Sequence, residues 1–338
     1  MPDSASLATA VPHAGWRWIN WLALDAVAVA VAWQLVFARM TGARLMPLES
    51  VTLGCVVWII YMADRLLDAT TPAGIADRHR FAARNFTWLL PTMLVVVVAT
   101  GWWALHHLRW VTLRTAMGVG SAIMVYFLII LAARWKAVSQ VLLTGVCGLI
   151  IMGLVQGETM SAPGLQLWRA VVAGIMATVL YVGLRHQYVP PPWILTKKAM
   201  GGYLFAIGVA AAPFSHLQDW PGLLHSAPVM LFAAACTLNS LGIRLWENED
   251  STHPELTMLR RLYPWLLAAI AGGSATEAWV ADEWSRPVLA GVAVCAAGFA
   301  LLHMGRKRWA ASRRALAADG IMFMVALLVL HWGMSGLP

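Results

Sequence analysis

Asp64 and Asp68 stand four residues apart in the string Tyr61-Met-Ala-Asp-Arg-Leu-Leu-Asp68. On a helix this spacing puts both carboxylates on one face, about 6 Å apart along the axis. Two like charges so placed repel unless a cation shares them. Mg²⁺ is such a cation: it takes one or two protein carboxylates and completes its shell with water and phosphate oxygens. Arg65 sits beside the pair, and Arg78, His79 and Arg80 follow. Carboxylates with arginines close by are the residue types that hold a Mg²⁺-bound diphosphate. Four further acids, Asp25, Glu247, Glu277 and Asp319, lie within or at the ends of apolar runs.

The elements that must position them are membrane spans. The chain has 338 residues, 60% hydrophobic and only 12% charged. Its mean hydropathy is +0.68. Soluble domains carry about 25% charged residues, so a soluble enzyme, a disordered chain and a coiled coil are excluded. Long unbroken runs such as Ala122–Ala133 exclude the short alternating strands of a transmembrane barrel. The expected class is all-α, a polytopic transmembrane helix bundle. Runs long enough to span fall at 19–39, 50–68, 87–107, 114–133, 138–157, 166–187, 199–214, 227–247, 261–281, 287–304 and 318–335. Residues 1–15 form a polar tail, and no soluble domain interrupts the rest, so 1–338 reads as a single membrane domain.

Topology follows from the basic residues. With a cytoplasmic N-terminus, three quarters of the 24 Lys and Arg fall on the inside. In that orientation Asp25, Asp64, Asp68, Glu247 and Asp319 all lie in the cytoplasmic third, and only Glu277 lies toward the outer face. Charges at such depths are costly and mark functional sites. Glu249 and Asp250 read as a wet loop, and His106 and His107 as outer-face structural residues. The tryptophans near predicted span ends, among them Trp102, Trp110, Trp279 and Trp284, match an interfacial belt in a lipid bilayer. The cysteines sit singly in apolar runs and read as small buried hydrophobes. The net charge of +8 is distributed by topology, which argues against nucleic acid as a partner.

The sequence resembles the UbiA superfamily of membrane prenyltransferases. These carry an N-D-x-x-D-x-x-x-D motif at the end of helix 2 and a D-x-x-D-x-x-x-D motif at the end of a later helix. Asp64 and Asp68 match the last two aspartates of the first motif, with Ile60 and Tyr61 in place of its Asn and first Asp. Arg78-His-Arg80 resembles the basic loop that follows. Lys197-Lys198 and the small-residue run Gly202–Gly208 resemble the helix before the second motif. That motif falls on Ser240, Ile243 and Glu247, just after Asn239.

The resemblance implies a nine-helix core, to which 138–187 would add a helix pair. It implies an isoprenoid diphosphate held through Mg²⁺ at the cytoplasmic face. The expected catalytic and metal-binding residues are Asp64, Asp68 and Glu247. Asp25 and Asp319 would add metal-binding charge at the same depth. Arg65, Arg78, Arg80, Lys197, Lys198, Asn239 and Arg244 would bind the diphosphate. Trp58, Tyr126, Phe205 and Trp246 would line an apolar lumen that shields an allylic cation. The expected activity is ionisation of the diphosphate and transfer of the prenyl group to an acceptor. The alternatives are cyclisation without an acceptor, a relative that has lost the chemistry, and a transporter. Transporters place coupling residues near the midplane, whereas these acids crowd one face.

Overall fold

The computed structural model describes residues 15–69, 77–134, 193–218 and 220–332. The expected helix pair within 138–187, residues 1–14 of the tail, and the side chains of Asp68 and Lys197 lie outside what is described. Among the described residues the protein is all-helical. Its helices are α1 (Gly15–Trp21), α2 (Leu24–Met40), α3 (Pro47–Ala69), α4 (Asp77–Arg84), α5 (Phe86–His107), α6 (Trp110–Arg134), α7 (Trp193–Leu217), α8 (Trp220–His225), α9 (Ala227–Glu247), α10 (Pro254–Val280), α11 (Ser285–Met304) and α12 (Ala311–Trp332). Six of them, α3, α5, α7, α9, α11 and α12, are long and apolar enough to cross a membrane. The chain is a multi-pass helical membrane protein.

The expected span 19–39 is in fact two helices. The chain breaks after Trp21, and Ala23 adopts a left-handed conformation at φ 54°. That conformation ends a helix and frees its last carbonyls. The loop expected between the second and third spans carries the short polar helix α4. Its Phe81 stacks on Trp21 with ring centroids 5.1 Å apart, so α4 is tied to α1 at this end.

The long helices surround a central α2, which packs against α3, α7 and α12. Trp33 is fully buried; its ring stacks on Phe232 of α9, and its Nε1–H donates to the Met322 carbonyl of α12 at 3.0 Å. Helices α7 and α9 meet backbone to backbone at Gly202. A Cβ there would lie 2.6 Å from the Thr237 amide nitrogen and 2.8 Å from its Cα, so only glycine permits the approach. By contrast α5 packs on α3 along one edge and buries only Leu89. An apolar helix with so exposed a surface suits a lipid bilayer.

Candidate functional site

Residues of α1, α2, α3, α4, α6, α7, α9 and α12 line a cavity of about 380 Å³. That volume lies within the range of small-molecule sites. Its wall changes character along its length. At the end where α2 begins, it is lined by Asn20, Asp25, Tyr61, Asp64, Arg65, Arg78, Lys198, Asn239 and Asp319. The middle is apolar and aromatic, with Val29, Val57, Ile60, Val119, Ile123, Tyr126, Leu204 and Phe205. The opposite end is polar again, with Gln34, Glu49, Thr52 and Thr112.

At the first end the helix break supplies the geometry. Asp25 lies in the first turn of α2, where the helix dipole favours a carboxylate. Its Oδ1 accepts from the Ala26 amide at 2.9 Å and its Oδ2 from Asn20 Nδ2 at 2.7 Å. The Trp21 carbonyl, freed by the break, and the Asn20 carbonyl, which also accepts from the Ala23 amide, both accept from Nη1 of the buried Arg65. Across the cavity, Asp319 of α12 accepts from Asn239 Nδ2 of α9 at 2.7 Å. The other amide atom, Asn239 Oδ1, is buried with no hydrogen-bond partner. Asp319 lies within electrostatic reach of Asp25, Arg65 and Arg78, and Asp25 within reach of Arg65.

The structure brings together most of the expected residues. Asp25, Asp64, Arg65, Arg78, Lys198, Asn239 and Asp319 share one cavity end. Tyr126 and Phe205 line the lumen as expected. Glu247 is placed differently. It does not line the cavity; both its oxygens are engaged by the guanidinium of Arg78, with Nη2 to Oε2 at 2.9 Å. The pair ties α4 to the end of α9. Arg80 and Arg244 are exposed and off the cavity wall. Trp58 packs in a separate apolar cluster with Met62 and Leu66. Trp246 is buried beneath Arg314, and Arg314 pairs with Glu249 at 3.0 Å, so Glu249 is more than a wet loop residue.

Sequence reasoning missed Asn20, Tyr61 and the whole polar group at the far end. Gln34 did carry a signal, since it is an amide in the middle of an apolar run. Glu49 stands just outside the expected span 50–68, where a charged residue carries no signal.

No three His, Cys, Asp or Glu among the described residues are grouped closely enough to hold a metal ion by themselves. Mg²⁺ bound with a diphosphate needs only one or two carboxylates from the protein. Asp25, Asp64 and Asp319 supply those at one end of the cavity, and the donor set is all oxygen, which suits a hard cation. No family model, no curated protein and no solved structure matches the chain.

Proposed function

We propose that the chain is an integral membrane enzyme that binds an isoprenoid diphosphate and ionises it. One observation carries the proposal. Three carboxylates, two arginines and a lysine meet at one end of a cavity whose wall then turns apolar and aromatic. A prenyl diphosphate has the same polarity: a multiply charged head on an apolar chain. One or two of Asp25, Asp64 and Asp319 would hold Mg²⁺, which supplies charge neutralisation to the leaving diphosphate. Arg65, Arg78 and Lys198 face the same head group and stabilise the negative charge that develops on it.

The bond that breaks joins the allylic carbon to the bridging oxygen, and its electron pair leaves with the diphosphate. The lumen residues Tyr61, Tyr126 and Phe205 then face the allylic cation with aromatic rings and exclude water. An acceptor nucleophile closes the reaction by bonding to that carbon and losing a proton. The acidic end is assigned to the cytoplasm. The basic residues support this: Arg78, Arg80, Arg84, Arg260, Arg261, Arg306 and Arg308 sit at helix ends or loops on that side.

The test is diphosphate release from farnesyl and geranylgeranyl diphosphate by purified protein with Mg²⁺. Asp64→Asn should lower turnover by about 100-fold or more, equivalent to about 2.7 kcal/mol of barrier. Equal turnover by the variant and the wild type would overturn the assignment.

A further inference from the structure

A cavity built only for a prenyl diphosphate would end in apolar side chains. This one ends in a buried polar group. Glu49 is 2% exposed and accepts three hydrogen bonds: from Thr112 Oγ1 at 2.9 Å, from His216 Nε2 at 3.0 Å and from the Met46 amide at 2.9 Å. The Met46 contact is the reach-back half of a capping box at the start of α3. Capping accounts for one oxygen of Glu49. It does not account for a histidine from α7 and a threonine from α6 converging on the same carboxylate.

Two neighbours on the cavity wall are unsatisfied. Gln34 Oε1 and Thr52 Oγ1 are buried and have no hydrogen-bond partner. Their residues are 1% and 9% exposed. Native proteins rarely leave such atoms unpaired, because each forfeits its hydration without a replacement hydrogen bond. Both residues line the cavity, so a ligand there can satisfy them. Their chemistry defines the ligand. An amide oxygen only accepts, and a threonine hydroxyl does both. Glu49 already has three donors, so its charge is dispersed and does not call for a cation. A neutral group that donates one hydrogen bond and accepts another fits, and a hydroxyl is that group.

We propose that the Glu49 end of the cavity is a second subsite, which receives a hydroxyl at the end of an apolar chain through Gln34 and Thr52. Thr52 and Asp64 are twelve residues apart on α3, so the two polar ends stand roughly 18 Å apart along its axis. Combined with the diphosphate site, this makes the substrate a chain with a hydroxyl at the end distal to its diphosphate. That extension rests on the proposed function; the subsite itself does not.

The test uses the full chain in lipid nanodiscs and a hexadecanol that carries a diazirine on the carbon next to the hydroxyl. After photolysis, labelled peptides are mapped by mass spectrometry. Labelling is expected on the segments that carry Gln34, Thr52 and Thr112, and hexadecanol should compete with it whereas hexadecane should not. Gln34→Leu/Thr52→Val should lower labelling about tenfold. Thr52→Val alone, which is nearly isosteric, should lower it severalfold, and Thr52→Ser should retain it. Equal competition by hexadecane, labelling confined to the Asp25 end, or undiminished labelling of Thr52→Val would each overturn the subsite. Labelling is expected to persist in Asp64→Asn and without Mg²⁺. Stabilisation by Mg²⁺ and pyrophosphate is expected to persist in Gln34→Leu/Thr52→Val. The subsite and the diphosphate site therefore fail by different measurements.

Discussion

Neutralising Asp319 should make the unliganded protein more stable and the liganded protein less so. Asp319 and Asp25 are acids on one cavity end, and Asp319 has a hydrogen bond from Asn239 but no directly paired cation among the described contacts. Two like unit charges within reach of each other at an effective permittivity near 20 repel by about 1–4 kcal/mol. Arg65 and Arg78 lie within electrostatic reach and offset part of this. The net gain from Asp319→Asn is then about 1 kcal/mol. The substitution preserves shape, and the amide oxygen still accepts from Asn239 Nδ2. For a chain of this size the gain corresponds to a Tm rise of roughly 1–3 °C.

The liganded state should respond with the opposite sign. The carboxylate faces the proposed Mg²⁺-diphosphate, and its loss should weaken binding by about 100-fold. Thermal unfolding with Mg²⁺ and inorganic pyrophosphate reads both effects. At 100 times the wild-type Kd, the wild type gains about 2.7 kcal/mol from ligand, and the variant gains only about 0.4 kcal/mol. A variant that loses stability while keeping the full response to Mg²⁺ and pyrophosphate would refute the reasoning. Asp319 would then be a structural acceptor that locks α12 to α9.

Two further predictions concern the frame around the site. The side chains of Arg78 and Glu247 are 21% and 16% exposed, and the contact is bidentate. A double-mutant cycle with Arg78→Gln and Glu247→Gln should give a coupling of about 1–2 kcal/mol. The Mg²⁺ dependence of Glu247→Gln should stay within about twofold of the wild type, and a tenfold shift would return Glu247 to the metal. Gly202→Ala should destabilise the protein by about 1–3 kcal/mol, because the added methyl meets the backbone of Thr237 and not a movable side-chain tip. Gly208→Ala is the control: its Cβ would stand 3.9 Å from Val119 Cγ1, so thermal unfolding should hardly change.

How much of this was legible in the sequence depends on the residue. The membrane class followed from composition alone, because so few charges cannot solvate a soluble surface. The gathering of Asp25, Asp64 and Asp319 at one end was legible as well. Depth in a membrane is counted along the chain from the span ends, and three independent helices gave the same depth. Position around the bundle was not legible. Asp64 and Glu247 were both placed at the right end of their helices, yet Asp64 faces the cavity and Glu247 faces Arg78. Helical spacing relates residues within one helix and says nothing of which neighbour that helix presents them to. The break at Ala23 was also hidden. Its backbone conformation is one that alanine seldom adopts, and no glycine or proline marked it.

The same limit explains why the far subsite was missed and why polar residues are the better guide to such a cavity. In water, an apolar side chain signals the interior. In lipid it signals nothing, since α5 is apolar and buries one residue while α9 is apolar and buries more than half of its length. What separates wall from lipid face is the cost of a polar group in hydrocarbon, which bars it from the outer surface at depth. Thr52, Asn239 and Asp319 sit within helices long enough to span and Gln34 within the central helix α2, and all four line the cavity. Glu277, near the end of α10, is exposed and lines no part of the cavity. An uncharged amide such as Gln34 therefore locates the cavity wall as well as an aspartate does. Counting only charged residues finds the end of the cavity that holds charge and overlooks the end that holds hydroxyls.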